Sequence, residues 1–365
     1  MTKKEKFNWK NYTSFIGLIL LIVLSILLSD TFLLPINLMN IAKQVAVPAI
    51  LAVGMTFVII SGGIDLSVGS FVALSGVLFA KLGAVIGFVP SAILMLLFGL
   101  VVGLLYGFFI THMNVPPFIA TLAGQTIGKG AALVITASAA VPIMDTGVNT
   151  LGSSNMPMVP VFILMIITLV LYYFWSIRQA RMTGSRIKVA SLVVVTAIMV
   201  YAAYLVYATK GLSYIVLISI LLVAFFTLVL NRSIFGRNVY AIGGNADAAR
   251  LAGISVSRNT IGIYAMCSTL ACLGGVLTAA RLGAGTPQVG ANWELDAIAA
   301  VIIGGTSFSG GIGKMGGTVV GVLLMGVLNN LLSLKNIPAD AQMIFKGLII
   351  LGAVVIDSKT SASKR

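Results

Sequence analysis

The sequence predicts an all-α polytopic membrane protein with about 10–12 transmembrane helices. Of its 365 residues, 59% are hydrophobic and only 9% are charged, whereas about a quarter of the residues of a soluble domain are charged. Apolar stretches of about 17–25 residues, the length that spans a bilayer, recur from end to end. These stretches are continuous rather than alternating, which favours helices over barrel strands.

Twelve stretches are candidate spans, in the order 14–34, 43–60, 65–80, 86–110, 118–137, 158–177, 189–209, 214–230, 260–280, 294–306, 316–334 and 341–356. The first follows a basic segment, as the core of a signal peptide does. No small-x-small cleavage site follows it, so we keep it as a span. Several of the others are short or broken, so the predicted count is 10–12 rather than twelve.

The net charge of +14 is explained by orientation rather than by nucleic acid. Fifteen of the 23 basic residues fall in four segments, at residues 3–10, 178–188, 232–258 and 359–365. An alternating topology places these segments on one side, and residues 138–157 and 210–213, with one lysine between them, on the other. This is the positive-inside bias, so we expect both termini in the cytoplasm and an even number of spans.

No polar segment is long enough for an ATPase or a ligand-binding domain. We divide the chain into a cytoplasmic tail (1–13), a transmembrane domain (14–357) with a cytoplasmic loop at 231–259, and a second cytoplasmic tail (358–365). The segment "SFSGGIGKM" fails as a phosphate loop, because Phe308 replaces its first glycine and Met315 its Ser or Thr. No catalytic residue, metal site or bound cofactor is therefore predicted.

Glycine occurs 39 times, often at small-xxx-small spacing, as at Gly99, Gly103 and Gly107. This spacing lets helix backbones approach closely in lipid. Two glycine clusters, residues 61–70 and 304–317, each follow a Val-Ile-Ile triplet. The match indicates duplicated halves, a common feature of transporters, although it is short.

Asp65 is the foremost polar candidate inside the predicted spans. A carboxylate in the middle of a membrane costs about 2.5–3.5 kcal/mol on insertion scales and therefore marks a pathway or a partner. Its place between two glycines and Ser67 also fits a helix cap near the interface. We keep Asp65 and Ser67 as pathway candidates and leave both interpretations open.

Five more polar residues are pathway candidates, namely Asn114, Thr121, Gln125, Glu294 and Asp296. Thr121 and Gln125 lie four residues apart and so share one helix face. Uncharged lining of this kind suits a neutral, hydroxyl-rich solute, and it equally serves as interhelical glue. The two acids fall in a first helical turn, where they also stabilise the helix dipole.

The stretch "GGNADAARLAGI" predicts a short polar helix between two apolar segments. Asn245 is its N-cap, Asp247 and Arg250 pair at i,i+3, and Gly253 ends it in a left-handed conformation. A helix this short is marginal in water, so it needs a surface to lie on. It lies either on the membrane or in a groove of a cytoplasmic partner, which its small residues, Ala249 among them, and its apolar Leu251 would enter.

Four stretches in order resemble one known family: "ILAVGMTFVIISGGIDLSVGS", "VPPFIATLAG", "GRNVYAIGGNADAARLAGISVSRNTIGIYA" and "RLGAGTPQVGANWELDAIAAVIIGGTSFSGGIG". They are similar to the ribose/xylose-type permeases of ABC sugar importers, over about residues 41–357. The additional spans around 178–209 resemble the longer xylose or multiple-sugar branch. One departure is Ala252, where the family often has serine.

The resemblance implies the bundle of vitamin B12-type importers in a bacterial inner membrane. It also implies three kinds of partner: two cytoplasmic ATP-binding subunits that hold ATP and Mg²⁺, a second permease copy forming a homodimer, and an extracytoplasmic sugar-binding protein. Residues 245–253 would be the coupling helix, with Asn245, Asp247, Ala249, Arg250, Leu251 and Gly253 as its coupling residues. Substrate would be selected largely by the binding protein.

The expected function is therefore import of a monosaccharide, such as xylose or a similar pentose or hexose. One alternative is an importer of the same family for a nucleoside or a branched-chain amino acid. Another is an ion-coupled secondary transporter, although that mechanism favours paired intramembrane acids, and here the acids are few and near span ends. A membrane scaffold would leave the glycine clusters unexplained.

Overall fold

The computed structural model describes residues 13–183 and 189–362. The helices are α1 (Thr13–Leu28), α2 (Pro35–Ile60), α3 (Val68–Ile86), α4 (Phe88–His112), α5 (Pro117–Thr136), α6 (Thr146–Ser153), α7 (Met158–Thr183), α8 (Val189–Ala208), α9 (Tyr214–Arg232), α10 (Ile234–Gly244), α11 (Ala246–Leu251), α12 (Val256–Leu282), α13 (Trp293–Ile303), α14 (Met315–Leu334) and α15 (Ala339–Ala362). The strands are β1 (Val141–Pro142), β2 (Asn155–Met156), β3 (Leu212–Ser213) and β4 (Ala284–Gly285). Residues 1–12 of the predicted tail (1–13) and the basic residues Arg186, Lys188, Lys364 and Arg365 lie outside the described residues.

The all-α membrane fold is confirmed, and a helix coincides with each of the twelve predicted spans. Within the described residues, nine helices are long and apolar enough to cross a bilayer: α2–α5, α7–α9, α12 and α14. The α1 helix has 16 residues and α13 only 11. At about 1.5 Å per residue, α13 covers roughly half of a hydrocarbon core about 30 Å thick. The α13 helix alone is therefore too short to span a bilayer, and backbone without helix or strand follows it up to α14.

Two predicted boundaries differ from the structure for a physical reason. The second span was predicted to begin at residue 43, but α2 begins at Pro35, which suits a first helical turn. The polar residues of its first turns resemble a loop in sequence. In the structure the amide of Asn37 is buried and exchanges two hydrogen bonds with Asn330 of α14, at 3.1 and 2.8 Å. At the other end of the chain, α15 continues through Ala362, beyond the predicted end at residue 356.

The α12 helix lies at the centre of the bundle and packs against α2, α3 and α4. The predicted small-residue stripe faces it, because Gly99, Gly103 and Gly107 lie directly on the α12 backbone at Ser268, Tyr264 and Ile261. A Cβ atom at any of the three would overlap that backbone. The descending order of the contacts shows that α4 and α12 are antiparallel.

The α2 and α14 helices form a second antiparallel pair. Asn37 and Asn330 join the start of α2 to the end of α14, and Thr56 and Thr318 join the opposite ends through hydroxyls 2.8 Å apart. The α7 and α8 helices pack on each other at the periphery, where Tyr173 and Thr196 hydrogen-bond at 2.6 Å. The largest buried cluster accordingly lies around α2, α3, α12 and α13.

Two short antiparallel pairs gather the loops at one end of the bundle. Strand β1 pairs with β4, and β2 pairs with β3. The second pair joins two segments that the sequence predicts on the same side of the membrane, 138–157 and 210–213. Their hydrogen-bonded register confirms that they share a side.

Candidate functional site

The α11 helix has the local structure that the sequence predicts. The side chain of Asn245 accepts the Ala248 N–H at 2.9 Å, so it is the N-cap. Arg250 Nη1 lies 3.4 Å from Asp247 Oδ1, and Gly253 has a φ of +82°. Both members of the ion pair are exposed to solvent, so the pair contributes little to stability. The cap and the glycine define the two ends of this helix.

The orientation of α11 corrects one predicted contact. Ala249 was expected to enter a partner's groove, but it is 5% exposed and faces the permease itself. The other face carries Asp247, Arg250 and Leu251, and Leu251 is 91% exposed. The surface that α11 presents to solvent is therefore one apolar side chain beside an ion pair, and Ala249 anchors the helix.

The α11 helix is attached to a backbone junction that we call the glycine junction, formed by Ile60, Gly62, Gly243, Gly310 and Gly311. The Gly311 N–H donates to the Ile60 carbonyl at 2.8 Å. A Cβ on Gly243 would overlap that same carbonyl, and a Cβ on Gly310 would contact Gly243 and Gly62. Both glycine clusters predicted from sequence thus meet the end of α10, immediately before α11 begins.

Tyr240 of α10 fixes the same region by donating its hydroxyl hydrogen to the Gly313 carbonyl at 2.9 Å. Burial raises the pKa of this phenol, so it stays a protonated donor at neutral pH. The 304–314 segment is thereby held to the loop that carries α11.

Asp65 lies in the irregular segment between α2 and α3 and is fully buried. Its Oδ1 accepts the backbone N–H of Ser67 at 2.8 Å and the Ser67 hydroxyl at 2.6 Å. The N-cap residue of α3 is Ser67, so Asp65 is not the cap itself but closes a turn before it. The hydroxyl oxygen of Thr121 on α5 accepts the backbone N–H of Leu66, which lies between Asp65 and Ser67, at 3.1 Å.

Gln125 and Glu294, two of the predicted pathway residues, line an open cleft between α3, α5 and the start of α13. We call it the polar cleft; its polar lining includes Ser70, Gln125, Lys129, Gln288, Asn292 and Glu294. Gln125 Nε2 donates to Glu294 Oε1 at 2.7 Å, although the two residues are 169 positions apart. The structure thus joins two predicted pathway residues, one on α5 and one on α13, that the sequence did not pair.

Two predicted pathway residues lie elsewhere. Asn114 is exposed in the α4–α5 turn with a φ of +53°, and it does not line the polar cleft. Asp296 faces α15, where Lys346 Nζ approaches its Oδ2 to 2.8 Å. Sequence reasoning missed Lys129, Lys346 and the contacts of Gly243. A lysine within an apolar span was the available signal for Lys129, whereas the glycine contacts leave no signal in side-chain pattern.

Comparisons with known proteins agree with this architecture. The family model described as "Branched-chain amino acid transport system / permease component" matches residues 37–354. The xylose transport system permease protein of Escherichia coli (strain K12) is 38% identical over 89% of this chain and 85% of its own. The ribose import permease protein of Bacillus subtilis (strain 168) is 36% identical over 95% of this chain and 92% of its own. No solved structure matches the chain significantly.

The fold, the span pattern and the near full-length similarity lead to one family. The corresponding xylose permease of Haemophilus influenzae is 35% identical over 98% of each chain. The chain is a multi-pass membrane protein that belongs to the permease family of ABC importers, alongside the xylose and ribose permeases.

Proposed function

We propose that this protein is the permease subunit of an ATP-driven importer that moves a monosaccharide, xylose or a similar sugar, into the cytoplasm. The observation that supports this most is similarity over almost the whole length of both chains to permeases named for xylose and ribose. ATP hydrolysis belongs to separate subunits, which hold the nucleotide and Mg²⁺. The permease itself performs no covalent chemistry.

The partners are two cytoplasmic ATP-binding subunits, a second copy of the permease and an extracytoplasmic sugar-binding protein. The basic loop 231–259 and both termini face the cytoplasm, in keeping with the positive-inside bias. The β1–β4 and β2–β3 pairs then lie on the outer side, where the binding protein docks. On this orientation α11 projects toward the ATP-binding subunits.

Leu251 is the contact that supports docking of α11. An exposed leucine alone needs no explanation, but this one lies on a six-residue helix anchored from behind by Ala249. A small apolar tip flanked by Asp247 and Arg250 suits a shallow groove with a polar rim. Closure of the ATP-binding subunits displaces α11, and the glycine junction receives that displacement through Gly243 and Gly244.

The experiment is ATP-driven uptake by the reconstituted transporter with Arg250→Glu or Leu251→Asp. Both side chains are exposed, so the variants insert and fold, while sugar-stimulated ATP hydrolysis and co-purification of the ATP-binding subunits fall at least about tenfold. Arg178→Glu is the matched control, because it reverses an exposed charge on α7 at the same side of the membrane. Retained coupling in both α11 variants would refute docking through this helix.

The same reconstituted system separates the alternatives. A panel of xylose, ribose, leucine and uridine identifies the solute class, and import of leucine or uridine alone would replace the sugar assignment. Uptake that survives loss of the ATP-binding subunits and collapses with the proton or sodium gradient would indicate a secondary transporter.

A further inference from the structure

The polar cleft brings hydrogen-bond donors and acceptors together from α3, α5 and the segment that leads into α13. Its α5 wall carries Gln125 and Lys129, four positions apart and near the middle of a 20-residue span. Its opposite wall carries Glu294, the second residue of α13, and Gly69 and Ser70 of α3 close one end. Polar groups at this depth in a membrane mark a functional site rather than lipid contact.

Glu294 is built into the cleft rather than solvated at its edge. The residue is 4% exposed, and one carboxylate oxygen accepts the Gln125 amide at 2.7 Å. The other oxygen lies over Gly69, where any Cβ atom would collide with it. The lack of a side chain at Gly69 therefore leaves the space that this carboxylate occupies.

Lys129 lies opposite, exposed in the cleft and close enough to Glu294 to interact with its charge. The cleft thus holds an acceptor, an amide with both functions and a cationic donor, with the Gln288 amide and the Ser70 hydroxyl beside them. Since the carboxylate is already paired with an amide and faced by a cation, the site has no net demand for an ion. This alternation of donors and acceptors matches the hydroxyl groups of a neutral polyol.

The cleft is narrow in this structure. Its enclosed space is about 60 Å³, well below the roughly 300–1,000 Å³ typical of small-molecule sites, so a solute is accommodated only when the walls separate. The apolar lining consists of the small side chains of Ala73, Pro287, Val289 and Ala291. This lining offers no deep pocket for a branched aliphatic side chain, but it fits the C–H faces of a sugar ring.

We propose that the polar cleft is a low-affinity monosaccharide station within the permease, in which sugar hydroxyls exchange with the Gln125–Glu294 hydrogen bond and contact Lys129. This proposal rests on the proposed sugar import and adds a specific site to it. Breaking the bond that links α5 to α13 frees the two walls to separate. The sugar therefore opens the station that it occupies, and its departure lets the bond close again.

The test measures protection of engineered cysteines in the full-length permease in nanodiscs, without nucleotide or binding protein. Lys129→Cys and Gln288→Cys place a thiol on opposite walls, and Gln288→Cys keeps Gln125, Lys129 and Glu294 intact. Ser153→Cys on α6 is the control, because Ser153 is exposed outside the cleft. Cys267 and Cys272 are at most 1% exposed, so the unaltered chain supplies a low background.

Modification by a small methanethiosulfonate reagent is followed with and without about 100 mM D-xylose, D-ribose, leucine or uridine. For a site with a Kd of about 50 mM or lower, protection by the factor 1 + [L]/Kd gives at least about threefold slowing by the sugars at Gln288→Cys. No slowing is expected at Ser153→Cys. Adding Glu294→Gln to Gln288→Cys abolishes the protection, since the charge-assisted acceptor is lost.

Each outcome decides the proposal. Absence of sugar protection at both cleft positions overturns it, as does equal protection at Ser153→Cys. Protection by leucine as strong as by the sugars assigns the cleft to a zwitterion and also overturns it. ATP-driven sugar uptake by the unaltered transporter is measured separately. Import without protection would refute the station but not the proposed sugar import. Protection without import would refute the proposed sugar import but not the binding of sugar in the cleft.

Discussion

Replacing Asn245 with alanine tests whether the shape of α11 depends on one capping bond. The change removes the acceptor that holds the Ala248 N–H at 2.9 Å. Loss of an asparagine N-cap costs about 1 kcal/mol, within a range of about 0.5–2. At about 1.4 kcal/mol per factor of ten, this lowers the equilibrium constant for forming the helix roughly fivefold.

The short length of α11 makes this loss visible. A helix of six residues is well below the about 12–15 residues at which an isolated helix becomes even marginally stable. Its remaining restraints are the burial of Ala249 and the left-handed Gly253. The cap is therefore a large share of what fixes the exposed face of Asp247, Arg250 and Leu251.

The assay is amide hydrogen exchange over 246–251 in the full-length protein in nanodiscs, paired with ATP-driven uptake. We expect exchange about fivefold faster in Asn245→Ala, with a parallel loss of uptake. Asn245→Asp is the matched control, because aspartate caps as well as asparagine and favours the positive end of the dipole. Exchange at the unaltered rate in Asn245→Ala would refute the role of the cap, and equal impairment of both variants would show that a partner recognises the amide itself.

Three further experiments probe the frame around α11 and the cleft. Gly103→Ala places a methyl group against the α12 backbone, and the overpacking cost of about 1–3 kcal/mol should lower the melting temperature by several degrees. Gly130→Ala is the control, because its methyl group meets open space on α5 and should leave the melting temperature unchanged. Equal melting temperatures of the two variants in detergent would contradict the close contact. Asp65→Asn keeps an oxygen for both Ser67 donors and should preserve folding and uptake, whereas Asp65→Leu should lose both; loss of uptake in folded Asp65→Asn would make this carboxylate a pathway group. In a double-mutant cycle, the effects of Gly243→Ala and Glu294→Gln on the uptake rate, expressed as free energies, should depart from additivity by at least about 0.5 kcal/mol. Strict additivity would show that the glycine junction and the polar cleft are not coupled.

Local signals made the ends of α11 predictable. The cap, the ion pair and the left-handed glycine each involve residues within four positions of one another, so the sequence carries them directly. The burial of Ala249 was not predictable in this way, because the rotation of a short helix is set by whatever it packs against. An alanine-rich helix presents small residues on every side, and composition alone does not choose among them.

Long-range geometry limited the prediction of the spans and of the cleft. The sequence predicts that the second span begins at residue 43, whereas α2 begins at Pro35. The reason is that Asn37 resembles a loop residue until its partner Asn330, 293 positions away, is known. Gln125 and Glu294 were each identified as polar candidates, but nothing local pairs them across 169 positions. The glycine junction is a contact between backbones, and backbone contacts are not encoded in side-chain chemistry. What the sequence did carry was the pair of glycine clusters, which both arrive at that junction.

The two glycine clusters also explain how a displacement of α11 could reach the polar cleft. One connector leaves the junction at Ile60 and arrives in the cleft at Gly69, and Thr121 holds it to α5 on the way. The other leaves the junction at Gly311 and returns through α13, whose second residue is Glu294. At about 1.5 Å per residue the α13 helix is a rigid rod of roughly 16 Å, too short to span the membrane and long enough to join junction to cleft. A full-length helix in place of α13 would be fixed by its packing along the whole bilayer, whereas a short helix followed by a glycine-rich segment moves without breaking a transmembrane helix. We therefore expect a displacement of α11 to reach the cleft through α13.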